Sequence, residues 1–272
     1  MKIVIPPLLQ VAFFVAPLLL LRFNIIDFER MLTPFINAEN PNFNTIWIHW
    51  LFGFGNWVIA LTLAGFLLLR VRKINKNYIL NKDKGNVYYD MPYLWFWFCS
   101  KILAYKKCNL IRIPIPMQFK LLINDTFDEW LTGEFPLKTN CRIDVQYYNE
   151  ENNHLETLNL IVHDTYPLNL SQIPKGQEKN YTLFVYRENP SKNREYCQDL
   201  IDKINSEIKN LPINIKRVNC FLSTNPAHNE KIACDIFKDG DRGNIKTLYA
   251  YKQEQSGARL FKESGLKIYD YR

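Results

Sequence analysis

Two short stretches hold the residues best suited to chemistry. In "VHDTYP", adjacent His163 and Asp164 offer an imidazole and a carboxylate, the pairing of a general base or of two metal ligands. Neighbours on a strand point to opposite faces, so the two do not converge, and Asp164 with Thr165 also suits a turn ahead of Pro167. In "FLSTNPAHNEKIACDIF", Phe221 to Phe237, an apolar run stops at Ser223, Thr224 and Asn225, and Pro226 follows. Hydroxyls, an amide and the N–H groups opening a helix suit an anion such as phosphate. The same residues also suit helix capping alone. His154 falls in a polar turn, and His228 is placed to begin a helix.

Other chemistries lack their residues. There is no G-x-G-x-x-G or Walker loop for a dinucleotide or NTP, no G-x-S-x-G elbow and no paired acidic motif. The six cysteines form no C-x-x-C pair and no zinc spacing, so no metal site is assigned, and Cys220 and Cys234 fall in apolar patterns that suit small core residues. No catalytic residue and no cofactor is assigned, and the chain is expected not to be an enzyme.

The elements around the second stretch give it a setting. "YTLFVY" (181–186), "INIKRVNCFL" (213–222) and "IKTLYAY" (245–251) read as strands. A helix with apolar residues at Tyr196, Leu200, Ile201, Ile204 and Ile208, capped by Ser191 or Asn193, separates the first two. A second helix over 229–237 separates the others. Alternating strands and helices imply parallel neighbours, and ligands of such sheets bind beyond the carboxyl ends of the strands. That logic selects Arg187, Ser223, Thr224, Asn225, Gln253 and Arg259 as ligand-binding residues. Upstream, "LIRIPIPMQFKLLI" (110–123) reads as an edge strand, because Pro114 and Pro116 cannot donate to a ladder. "CRIDVQYY" and "LETLNLIVHDTYPL", flanking "NEENNH", read as a hairpin.

The N-terminal quarter is of another kind. Residues 3–21 are apolar apart from Gln10, and 46–69 form a second long apolar run. Trp47, His49 and Trp50 near the start of the second suit a headgroup layer. Arg70, Arg72, Lys73 and Lys76 end the second run, whereas the loop between the runs carries Asp27, Glu29 and Glu39. The bias of basic residues places both termini in the cytoplasm, with six thiols in a reducing compartment. Gln10 and Asn56 are polar positions within the spans: they either join helices or line a polar path. The net charge of +7 suits lipid headgroups and nucleotides. "MPYLWFWFCSKILAYKK" (91–107) is too short to span, and fits either a helix lying on the membrane or a core helix.

The stretch "NIKRVNCFLSTNPAHNEKIACDIFKDGDRGNIKTLYAYKQEQSGARLF", within 180–262, resembles the SAVED/CARF sensor domains of bacterial antiphage signalling. A strand ending in a polar cluster ahead of a proline, then "EKIACDIF", then a strand to "YAYKQ" carry the likeness. With the hairpin ahead of it, the chain resembles the two-transmembrane effectors of CBASS. The β-rich stretch 110–170 is alternatively similar to the small β-barrel sensor of other such effectors. The expectation is an α+β membrane protein: a transmembrane hairpin (1–70), a basic linker and aromatic segment (71–109), and a cytoplasmic sensor (110–272) that is β-rich first and Rossmann-like second. The resemblance implies an inner-membrane protein that binds a cyclic oligonucleotide, forms a homo-oligomer and permeabilises the bilayer, with no nucleic-acid polymer as partner. The alternative is a membrane anchor or scaffold that binds a protein.

Overall fold

The computed structural model describes residues 6–22, 55–82, 88–152, 154–189, 193–238 and 244–271, and the chain divides into two compact units. The first holds helices α1 (Pro7–Arg22) and α2 (Gly55–Asn75) with the segment 98–106. Buried Ala60 and Ala64, one helical turn apart, present small side chains along α2. Gln10, near the start of α1, meets Asn75 at the end of α2, so the helices run antiparallel. Their amides bond reciprocally, Gln10 Nε2 to Asn75 Oδ1 at 3.1 Å and Asn75 Nδ2 to Gln10 Oε1 at 2.7 Å. Tyr105 Oη accepts a further bond from Gln10 (2.9 Å) and Leu103 O one from Asn75 (2.9 Å). Arg72 Nη1 reaches the carbonyls of Lys101 (2.8 Å) and Ile102 (2.7 Å), which end a helix and lack intrahelical donors.

Among the described residues no helix is long and apolar enough to cross a membrane. The expected spans 3–21 and 46–69 are described only within Pro7–Arg22 and Gly55–Asn75, and the second of these helices continues through Arg70, Arg72 and Lys73. The rest of those spans, with Trp47, His49 and Trp50, and the loop between them lie outside the described residues, as does the side chain of Asn56.

The second unit covers residues 79–97 and 107–272. Strand β1 (Ile79–Leu80) precedes α3 (Tyr93–Lys101), of which residues 93–97 belong to this unit, with Phe96 buried and Leu94 and Trp97 exposed. Strands β2 (Lys107–Asn109) and β3 (Glu129–Leu131) join β1 in a small parallel sheet, order β1-β2-β3. Between them lies helix α4 (Ile115–Ile123) where an edge strand was expected. Pro114 at its N-cap and Pro116 in its first turn explain the correction: the residues that weaken a strand begin a helix without loss of a hydrogen bond.

The larger sheet contains β4 (Ile143–Tyr148), β5 (Thr157–His163), β6 (Tyr181–Arg187), β7 (Arg217–Ser223), β8 (Thr247–Ala250) and β9 (Leu266–Asp270), in the order β4-β6-β5-β7-β8-β9. The four middle strands are parallel and the two edge strands antiparallel to their neighbours. The hairpin expected of β4 and β5 does not form; β4 pairs with β6, and β5 lies between β6 and β7. Every residue from Leu158 to Val162 is buried, the mark of a central strand covered on both faces. Lys120 of α4 donates to the carbonyls of Lys267 (3.1 Å) and Ile268 and so covers the outer edge of β9.

Helix α5 (Gln198–Lys209) starts later than expected, after Cys197 at its N-cap; Asn193 does not cap it, and Ser191 lies outside the described residues. Helix α6 (Pro226–Lys231) starts earlier than expected and continues as a π-helical segment, Ile232–Lys238. On one face of the sheet, Ile161, Leu168, Ile173, Phe221, Tyr251 and Phe261 form a buried cluster in which Phe221 stacks on Tyr251 at 4.4 Å. The second unit is a mixed α/β fold.

Candidate functional site

The connections of β5 and β7 leave the sheet in opposite directions, to β6 on one side and β8 on the other. At such a switch point the loops diverge and open a crevice beyond the carboxyl ends of the strands. A cavity of about 710 Å³ lies at this place. Thr165 and Tyr166 after β5, Ser223 to Asn225 after β7, and Gln253 and Arg259 after β8 line it, together with loops at Arg112, Gly133 and Arg194.

The corner Ser223–Asn225 is held rigidly. The Ser223 carbonyl accepts from the N–H groups of Asp164 (3.2 Å) and Thr165 (2.8 Å), and its Oγ accepts from Tyr166 N–H (3.0 Å). Thr224 Oγ1 donates to Asn229 Oδ1, and Asn229 Nδ2 donates to Gln118 Oε1 at 2.9 Å. Asn225 caps α6: its Oδ1 accepts from His228 N–H (2.9 Å), while its Nδ2 donates to Glu195 O (2.8 Å).

Beneath the corner is a buried charged group. Arg187 Nε donates to Asp164 Oδ1 at 2.5 Å, and Nη1 reaches Glu195 at 3.4 Å. Asp164 Oδ2 lies 2.8 Å from His228 Nδ1, while His228 Nε2 accepts from Cys197 N–H at 2.9 Å. An Nε2 that accepts cannot carry the proton, so Nδ1 does and donates it to Asp164. Burial alone would raise the Asp164 pKa, but the hydrogen bond from His228 and the bond and charge of Arg187 outweigh it and hold the carboxyl below its usual value. His163 faces elsewhere, against Tyr186 with ring centres 4.5 Å apart, and burial lowers its pKa against the pull of Asp164. The two neighbours therefore do not form a catalytic pair.

The cavity wall is cationic and aromatic. Arg112, Arg194, Lys252 and Arg259 line it against Glu134 and Glu254. The Arg259 guanidinium lies 4.3 Å from the Tyr166 ring centre, and Arg194 Nη2 donates to the Tyr166 hydroxyl at 3.3 Å. Among the described residues, Gln253 Nε2 and Arg259 Nε are buried donors with no protein acceptor. Buried donors are nearly always satisfied, so acceptors from a bound molecule fit here. Gly133 sits at φ +89°, in the left-handed region that keeps this wall free of a larger side chain.

A model of the SMODS- and Ubiquitin system-associated 2TM effector domain matches residues 1–269. The chain belongs to this family. Among solved structures it is similar to the Cap4 SAVED/CARF-domain containing receptor of Acinetobacter baumannii with the cyclic trinucleotide 3′3′3′-cAAA, at 8% identity and a TM-score of 0.44, over 66% of this chain and 42% of that one. The same receptor with 2′3′3′-cAAA matches at 7% identity and a TM-score of 0.41, over 66% and 41%. The chain thus spans less than half the length of these receptors. No curated protein matches the sequence.

Of the six residues selected from the sequence, the structure brings Ser223, Thr224, Asn225, Gln253 and Arg259 around one cavity. Arg187 is a correction: at 1% exposure it belongs to the buried ion pair, because β6 lies across β5 from the switch point. Thr165 and Tyr166 were missed, since β5 was read as one arm of a hairpin; the consecutive apolar residues Leu160, Ile161 and Val162, which do not alternate with polar ones, were the available signal. Arg112, Gly133 and Arg194 come from loops, and nothing in their spacing announces them. Among the described residues, Cys141, Cys197 and Asp199 are the group whose ligand atoms lie close enough for a metal, but Cys141 and Cys197 are joined in a disulfide. The expectation of reduced thiols throughout is thereby corrected.

Proposed function

We propose that the protein is a membrane-anchored sensor–effector of prokaryotic antiphage defence. A cyclic oligonucleotide binds the cavity at the β5/β7 switch point, favours an assembled state, and the N-terminal hairpins cluster to permeabilise the inner membrane. The protein acts by assembly and carries out no chemical step. The observation that carries this reading is the cavity itself, with cations outnumbering carboxylates, a tyrosine between two arginines, and buried donors awaiting acceptors. Phosphodiesters suit the guanidinium groups and bases suit the tyrosine faces and the Gln253 amide.

The membrane part of the reading is supported by the family to which the chain belongs and by the surfaces of α1 and α2. Leu8, Phe13, Val58, Leu61, Phe66 and Leu69 are all more than half exposed, a costly surface in water and a suitable one in lipid. Ligand binding moves the equilibrium only as far as its preference for the assembled state, and a full shift requires about a 10⁴-fold preference. The test is release of a trapped dye from liposomes holding the full chain, with cyclic di- and trinucleotides added. Saturable release that Arg259→Ala abolishes is expected. Liposomes that stay sealed with every cyclic oligonucleotide, while the protein binds none, would remove the reading.

A further inference from the structure

The bridge Cys141–Cys197 joins a position two residues before β4 to the N-cap of α5, across a sequence separation of 56. It stands two hydrogen bonds from the ligand corner, by way of His228. Cys197 N–H donates to His228 Nε2, Tyr196 stacks on the same ring at 5.1 Å, and the backbone N–H of His228 is the one that Asn225 caps. Cys141 N–H in turn donates to Asp199 Oδ2 at 3.0 Å, in the first turn of α5. The two sulfurs differ in access: Cys141 is partly exposed and Cys197 fully buried. The other cysteines are poor competitors. Cys99, Cys108 and Cys220 are buried, and burial pushes the thiols of Cys99 up to about 12 and of Cys234 up to about 11, so few thiolates form.

We infer that Cys141 and Cys197 are a reversible thiol–disulfide site, closed by low-molecular-weight disulfides such as oxidised glutathione, whose state sets how firmly the ligand corner is held. The inference rests on the proposed function together with the cytoplasmic placement expected from the basic-residue bias, since a reducing compartment makes the bond conditional. The exposed Cys141 thiolate attacks one sulfur of glutathione disulfide and displaces the first glutathione. The Cys197 sulfur then attacks the Cys141 sulfur of the mixed disulfide, and the second glutathione leaves. Two protein thiols give up two electrons and two protons, and one glutathione disulfide becomes two glutathione thiols. When the bond opens, the start of β4 is no longer tied to the N-cap of α5, and the Cys197–His228–Asn225 chain loses its brace.

The test uses the full chain in lipid nanodiscs, equilibrated at fixed ratios of reduced to oxidised glutathione, quenched in acid, and then unfolded in denaturant and labelled with a maleimide polymer so that the buried thiols also react. The expected count falls from six labels to four as the oxidised form rises, with both states populated within the series, and Cys141→Ser stays at five throughout. Thermal unfolding follows the labels, with a midpoint about 10 °C lower when reduced, as for loss of a disulfide closing a long loop. Amide exchange at Cys197 and at His228 speeds up roughly tenfold on reduction in the wild type, and in Cys141→Ser it is fast in every buffer. Four labels in reduced glutathione alone would make the bond a permanent staple, and six in oxidised glutathione alone would deny it; either overturns the inference. Exchange at His228 that ignores the redox state overturns the link to the corner. None of these readouts uses a nucleotide or membrane leakage, so their failure is distinct from failure of the proposed function.

Discussion

Replacing Arg187 by methionine tests the floor of the site. The arginine is 1% exposed and holds a carboxylate with no exposed side-chain surface, so the change leaves Asp164 charged and buried, with His228 and the Thr165 hydroxyl (3.4 Å) as its side-chain donors. Breaking a buried pair by removing one partner costs about 3–5 kcal/mol. At about 2–4 °C per kcal/mol for a unit of this size, the unfolding midpoint falls by roughly 10 °C. The pH dependence carries a sign. The folded Asp164 pKa is depressed, because His228 and Arg187 outweigh the burial that would raise it. Its contribution is therefore complete above the unfolded value of about 3.9 and is lost as the pH falls through the lower folded value. The gap between wild type and Arg187→Met is widest at neutral pH and closes in acid. Urea unfolding of the full chain in detergent at a series of pH values measures it. Arg187→Met with Asp164→Asn keeps an acceptor for the His228 proton and removes the stranded charge, and it recovers about half the loss. A single-variant loss under about 1 kcal/mol, or a gap that ignores pH, would refute the buried-pair argument.

Three other substitutions separate binding from stability. Arg259→Ala leaves the unfolding midpoint unchanged and weakens cyclic oligonucleotide binding at least tenfold, with a shallower salt dependence, both read by calorimetry at two salt concentrations. Asn225→Ala removes the α6 cap and the bond to Glu195 O, and lowers stability by about 1–2 kcal/mol in urea unfolding. Asn75→Leu removes both bonds between the Gln10 and Asn75 amides and the donor to the Leu103 carbonyl in the first unit, leaves Gln10 its bond to Tyr105, and costs about 1–3 kcal/mol there, seen as faster amide exchange in α1 and α2, with the sheet amides unchanged.

The parts legible in the sequence were those written in local patterns. The strands 181–186, 213–222 and 245–251 are apolar runs bounded by polar corners, and each matches a strand of the large sheet within a few residues. Once parallel strands were read, the strand-end rule selected Ser223, Thr224, Asn225, Gln253 and Arg259, which line one cavity. Strand order was the missing information. β5 inserts between β6 and β7, which moved Arg187 away from the cavity and Thr165 and Tyr166 into it. Order is decided by which strand can be covered on both faces, a property of the whole core rather than of a neighbouring turn. The stretch at 115–123 failed for a local reason: two prolines fit both an edge strand and a helix start, and the buried face formed by Phe119 and Leu122 decides for the helix. The disulfide was hidden because its cysteines lie 56 residues apart with no spacing motif.

The central claim is that the space beyond β5 and β7 receives a cyclic oligonucleotide. Hydrogen exchange of the full chain in nanodiscs, with and without a saturating cyclic trinucleotide, tests it most directly. The account predicts slower exchange at Thr165–Tyr166, Ser223–Asn225 and Gln253–Arg259, together and with one binding curve. Protection confined to other segments, or none at any concentration that other cyclic oligonucleotides also fail to improve, would contradict it.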